Sequence, residues 1–215
     1  LNNIGIAYAH SGEPQKALDY LNQSLPTFRA AKNNNSESYT LLNIGSVYRR
    51  MGAFEKALAH YSQAQAIQRQ TNNRAQEADT LDEIGITYSA QGDPEKALEY
   101  HRQAIEIQRA AGNIRREAIA LNNLGEDYIL LNQPDKALEQ FTQALSKLRS
   151  IGDLGTAAIA LQGVARSEHK RGNLDEARKH IEESVALIET VRACQALGGR
   201  VLAVPTDVTD PQAVE

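Results

Sequence analysis

Asn3, Asn43 and Asn123 recur at multiples of 40 residues, and Glu83 occupies the corresponding place in between. A primary amide offers a donor and an acceptor together, the chemistry that holds a peptide backbone without transforming it. Residues suited to covalent or metal chemistry are not arranged for it. The five histidines, His10, His60, His101, His169 and His180, lack the i, i+4 or cysteine-paired spacing that brings two ligands to one metal. Cys194 stands alone, with no His/Asn setting that would make it a nucleophile. The chain has no GxxxxGK[ST], GxGxxG or GxSxG. Adjacent acids such as Asp82/Glu83 and Glu182/Glu183 point about 100° apart on a helix and cannot face one another across a cleft. No enzyme activity, metal or cofactor is expected.

A net charge of −4, with no Lys/Arg run longer than two, gives little attraction to a phosphate backbone, so nucleic acid is not an expected partner. No apolar stretch approaches the roughly 18 to 20 residues that cross a bilayer. The opening LNNIGIAYAH lacks a basic-then-apolar leader, and a single cysteine gives no reason to expect an oxidising compartment. The expectation is a cytoplasmic protein, cut from something longer because Leu1 already lies inside a helical pattern.

The elements that carry these residues follow from self-similarity. LNNIGIAYAHSGEPQKALDYLNQSL from Leu1 aligns with copies from Leu41, Leu81 and Leu121, and with a worn copy from Leu161, always at a spacing of 40. Leu41, Ile44 and Tyr48 fall on one face of a first helix. Gly5, Gly45, Gly85 and Gly125 sit inside that helix, where glycine costs about 1 kcal/mol against alanine, so another helix must pass too close for a β-carbon. Gly12-Glu13-Pro14, Gly92-Asp93-Pro94 and Asn132-Gln133-Pro134 stop the first helix and start a second. Small Ala17, Ala57, Ala97, Ala137 and Ala177 allow the two helices to meet. Leu21, Tyr61, Phe141 and Ile181 fill the space toward the following copy. The fold class is all-α: an α-solenoid of about five antiparallel helical hairpins over residues 1–193, each burying its apolar face only against its neighbours.

These landmarks resemble the tetratricopeptide repeat over roughly residues 1 to 192, and the resemblance implies a superhelix. The fifth copy departs, with Ala165 in place of Gly and Glu168 in place of Tyr, which suits a terminal repeat with one exposed side. The 40-residue length and the LNNIG/LNNLG motif are similar to kinesin light chain repeats and to bacterial arrays that precede CHAT (caspase-like) domains, whereas the common length is 34. The linker AAGNIRREAIALNNLG resembles the latter group, so a bacterial signalling or scaffolding parent is expected.

The resemblance implies that the first helices line a concave groove that receives a peptide. Counting helically from the packed residues, the groove displays Asn2, Asn3 and Ile6, then Leu42, Asn43, Arg49 and Arg50, then Asp79, Asp82, Glu83 and Ile86. Asn122, Asn123 and Glu126 follow, then Gln162, Arg166, His169 and Lys170. Helices about 8 to 10 Å apart would place one Asn at roughly every third residue of an extended ligand. The alternative is that duplication alone maintains Asn on a wet helix face. The charges alternate along the groove, which suggests a partner of mixed charge, unless they only solvate the surface. The lysines of a carboxylate clamp are missing, their places taken by Asn2, Leu42 and Asp82. The function expected is a non-catalytic protein-interaction scaffold, the alternative being the sensing arm of a CHAT-type protease or dehydrogenase. Self-association through an uncapped first hairpin is a further possibility.

After Ala193 the sequence changes character. CQALGGRVLAVPTDVTDPQAVE has a helix stop at Gly198-Gly199, a β-type run over 201–204, and Asp210-Pro211 opening another helix. It resembles the interior of a short-chain dehydrogenase/reductase, with Asp207 at the adenine-pocket position. The glycine-rich turn and the Tyr-x-x-x-Lys pair of that family are missing. Residues 194–215 therefore read as a flexible truncation or fusion remnant, with a cap on the last hairpin or the start of a further domain as alternatives.

Overall fold

The computed structural model describes residues 1–196. Its helices are α1 (Asn2–His10), α2 (Pro14–Ala30), α3 (Asn34–Arg50), α4 (Phe54–Gln70), α5 (Arg74–Gln91), α6 (Pro94–Ala110), α7 (Ile114–Leu130), α8 (Pro134–Ser150), α9 (Leu154–Arg171) and α10 (Leu174–Ala196). No strand occurs among the described residues. Two compact units divide within α6, one of Leu1–Ile107 and one from Gln108 onward, and each is a stack of antiparallel hairpins. The expected strand at 201–204, the helix stop at Gly198-Gly199 and Asp207 lie outside the described residues.

The first helices begin seven residues before the Leu landmarks. Asn33, Asn73, Asn113 and Asp153 each accept a hydrogen bond from the backbone N–H three residues on, an N-cap that turns a polar linker into helix. Both kinds of loop close on a left-handed residue. Gly12, Gly52, Gly92, Asn132 and Gly172 take that role within hairpins, and Lys32, Asn72, Gly112 and Gly152 take it between them. Pro14 and Pro134 open the second helices at a position where no backbone N–H is required.

Within each unit the close approach predicted at the glycines is present. A β-carbon on Gly45 would lie 2.5 Å from the Tyr61 ring, and one on Gly125 would lie 2.8 Å from Phe141. Phe141, 1% exposed, is also wedged against Gly163 of α9, so its ring sits between two glycines on neighbouring first helices. Among the large residues expected to face a following copy, Ile181 differs: it is 44% exposed, because no further described helix covers α10. The missing residue of that series is His101, buried against Gly85.

One departure of the fifth copy, Glu168, has a different origin from the one expected. Glu168 does not face the open side. It is 9% exposed, and its carboxylate accepts from Arg171 at 3.0 Å and from Asn173 Nδ2 at 2.6 Å. In the first unit the equivalent place holds Tyr8, Tyr48 and Tyr88. They stack on Tyr20, His60 and Tyr100 with ring centroids 5.4 Å apart, and Lys16, Lys56 and Lys96 lie over the tyrosine rings.

Gly163→Ala should force its methyl into the Phe141 ring and destabilise the protein by about 1–3 kcal/mol, as overpacking does. Urea unfolding checks this, and Phe141→Leu in the same background should restore part of the loss. Burial lowers the pKa of His60 below its ordinary 6.5, and its Nδ1 has no partner. The folded chain therefore resists a proton that the unfolded chain accepts, so the imidazole contributes stability above pH 6.5 that is lost as pH falls below it. His60→Tyr, which reproduces the Tyr–Tyr pairs of the neighbouring copies, should remove this part of the pH dependence in thermal unfolding between pH 7 and about 5.

Candidate peptide-binding faces

In the first unit, α3 packs against both α1 and α5, which sets the candidate residues of these three helices side by side. Asn3 is exposed and Asn43 half-buried, with the Nδ2 of Asn43 enclosed and unpartnered. Glu83, at the same place in the third copy, is the centre of a network. Its Oε2 accepts from Ser46 Oγ at 3.2 Å, Arg49 Nε at 3.2 Å and Tyr61 OH at 3.1 Å. Burial would lower the Arg49 pKa, but the Glu83 carboxylate and the Tyr61 hydroxyl hold it above its ordinary value. Burial and the neighbouring Glu83 push the Tyr61 phenol up, so it remains a donor. Arg50 is exposed and reaches back to the Ala9 carbonyl at 2.7 Å, satisfying the end of α1. Asp82 Oδ1 lies 2.8 Å from the buried His101 Nδ1.

In the second unit, α7 and α9 lie side by side. Arg166 and Glu126 form an ion pair between them. Gln162 donates to Ser184 Oγ at 3.2 Å, and His169 and Lys170 are exposed. Asn123 is half-buried, whereas Asn122 is only 7% exposed. Alternation of charge along the sequence thus becomes pairing across neighbouring helices: Arg49 with Glu83, and Arg166 with Glu126. Asn3, Arg50, Gln162, Arg166, His169 and Lys170 are exposed polar residues of these faces, with Tyr39 and Ile159 exposed apolar ones at 45% and 56%.

Asn2 shows what the second position of each copy does. Its Oδ1 accepts from Thr40 Oγ1 of the next first helix at 3.0 Å. The third copy keeps the threonine, Thr80, but Leu42 stands where Asn2 does, and Thr80 Oγ1 is buried without a partner. The fourth copy keeps the asparagine, but Ala160 stands where Thr40 does, and Asn122 Oδ1 is buried without a partner. Each mismatch leaves half of a hydrogen bond.

Sequence reasoning missed the clasps between hairpins. Arg29 binds Glu37 at 2.8 Å, Arg69 binds Glu77 at 2.7 Å and Arg109 binds Glu117 at 2.8 Å. Glu77 and Glu117 are buried. Burial alone would raise the Glu117 pKa, but hydrogen bonds from Arg109 and Lys147 hold it below its ordinary value. The signal available was an Arg and a Glu eight residues apart, repeated every 40. In the last linker Ala157 replaces the Glu, and Arg149 pairs with Glu183 instead. Among the described residues no group of three or more His, Cys, Asp or Glu could hold a metal ion, and no helix is long and apolar enough to cross a membrane.

Residues 36–110 match the family model described as tetratricopeptide repeat. BtubC (BKLC) from P. vanneervenii matches with a TM-score of 0.74 at 19% identity, over 91% of this chain and 79% of that one. The fold is the tetratricopeptide-repeat fold. Tetratricopeptide-like repeats of a Podosopora anserina protein described as a kinesin light chain match at a TM-score of 0.67 and 21% identity, over 93% of this chain and 95% of that one. A Rap protein complexed with competence and sporulation factor matches at 0.76 and 18% identity, over 87% of this chain, which spans 53% of that protein. No curated protein matches the sequence.

The tetratricopeptide first helices of the second unit give a direct test of the half-made hydrogen bond. Ala160→Thr should supply Asn122 with its missing donor and stabilise the protein by about 1 kcal/mol, read as a shift in the urea midpoint.

Proposed function

We propose that the chain is a non-catalytic protein-interaction module whose first helices receive a peptide or a segment of a partner protein. The observation that carries this reading is the gathering of exposed polar residues on first helices that adjoin within a unit, Asn3 of α1 beside Arg50 of α3, and Arg166, His169 and Lys170 of α9 beside α7. The fold supports it, as does the match to a Rap protein complexed with competence and sporulation factor. Because Arg49, Glu83, Asn2 and Asp82 are engaged within the fold and only half-exposed, contacts to a ligand fall to the exposed members. These are Asn3, Tyr39 and Arg50 in the first unit, and Ile159, Gln162, Arg166, His169 and Lys170 in the second. Arg166 and Glu126 could open to a charged partner, since their side chains are 50% and 39% exposed. An exposed pair of this kind holds itself closed by no more than about 1 kcal/mol.

A peptide array screened with the full chain tests this reading. For any peptide bound, Asn3→Ala with Arg50→Glu, or Ile159→Ala with Lys170→Glu, should weaken binding about tenfold or more, since exposed anchors carry most of such affinity. Binding that withstands both pairs, in variants with unchanged circular dichroism, would place the interaction surface elsewhere.

A further inference from the structure

A cleft of about 530 Å³ opens in the first unit where the α4–α5 loop meets α6, lined by none of the residues assigned to peptide binding. Its lining includes Arg69, Arg74, Glu77 and Glu106, with Ile107 as partly exposed apolar surface. Its volume is within the range of small-molecule sites.

The charged groups are held in a definite way. The Glu77 side chain is 3% exposed and takes Arg69 Nε on one oxygen at 2.7 Å and Arg74 Nη1 on the other at 2.5 Å. Both arginine side chains remain 58% exposed. A guanidinium has five N–H donors, so a buried carboxylate that engages one on each arginine fixes the pair and leaves further donors for a second oxyanion. Glu106, also lining the cleft, is exposed.

Comparison with the adjoining copies separates the cleft from the general repeat. The Arg69–Glu77 clasp recurs as Arg29–Glu37 and Arg109–Glu117 and is structural. Arg74 and Glu106 do not recur: Asn34 and Ile114 stand at the first place, Ala66 and Ser146 at the second. An added cation and an added anion thus appear together in this one cleft. A simple anion would meet Glu106 and a simple cation would meet two arginines. A molecule carrying both charges satisfies both sides.

We propose that this cleft binds a small zwitterion of the α-amino acid class. The carboxylate rests on the Arg69/Arg74 pair, the ammonium group on Glu106, and an apolar side chain against Ile107. The site is independent of the peptide-binding reading.

Titration of the full chain with L-leucine, followed by NMR, tests it, with acetate and n-butylamine as probes that carry one charge each. Leucine should shift resonances around Arg74 and Glu106 saturably and bind about tenfold or more tightly than either half-ligand, one such factor being about 1.4 kcal/mol. Arg74→Gln and Glu106→Gln should each weaken leucine about tenfold, since each removes a charge-assisted hydrogen bond. Lys32→Gln, in the first linker, should change nothing. Acetate binding as tightly as leucine would reduce the site to a plain anion site and overturn the proposal. So would absence of saturation with leucine at millimolar concentration, or unaltered leucine binding by folded Arg74→Gln and Glu106→Gln variants.

Discussion

One large side chain in each of the first four hairpins, seated over a glycine of the same hairpin, is the constraint from which the packing follows. Leu21 over Gly5, Tyr61 over Gly45, His101 over Gly85 and Phe141 over Gly125 all occupy this place. The ring or branch takes up the volume that a β-carbon would fill, which brings the two helices of a hairpin close together. The wedge also sets what the next first helix must present where it is met within a unit. Phe141 meets Gly163, and Tyr61 meets Glu83, whose carboxylate accepts its hydroxyl. A residue at the third position of a copy is therefore chosen partly by the wedge that precedes it.

Electrostatics is organised around the same interfaces. The buried carboxylates of Glu77 and Glu117 lie at the linkers, where Arg69 and Arg109 arrive from the preceding second helix. A buried charge without a partner would be strongly destabilising, so each clasp ties the end of one hairpin to the beginning of the next. The ion pairs Arg49–Glu83 and Arg166–Glu126 do the same between first helices, with more exposure and correspondingly less effect.

Much of the fold was legible because it rests on residue size and turn chemistry. Glycine at 45 and 125, alanine at 57 and 137, and the Gly-x-Pro turns have few physical readings, and all point to close-packed hairpins. The helix starts were less legible, since Asn33-Asn34-Asn35-Ser36 reads as a loop until Asn33 is seen to cap the helix that follows. The site was the least legible part. A helical wheel shows which residues leave a helix on one side, but not what the adjoining helix places opposite. Asn2 faces Thr40, Arg49 faces Glu83 and Asp82 faces His101, so three residues that look free in sequence are engaged. The Arg/Glu clasps were hidden for the same reason, as charged residues on an amphipathic helix look like solvent-facing ones.

The divided hydrogen bond at the second position bears on how such an array can change. Its acceptor belongs to one hairpin and its donor to the next, as in Asn2 and Thr40. A hairpin carrying Thr80 and one preceding it with Asn122 would be complementary, yet in this chain neither has the other as its neighbour in that order. Repeats are therefore not interchangeable beads. Duplication or deletion of one 40-residue unit changes which halves meet, so the linear order of hairpins is itself under physical selection, and an array of fixed composition has favoured and disfavoured arrangements.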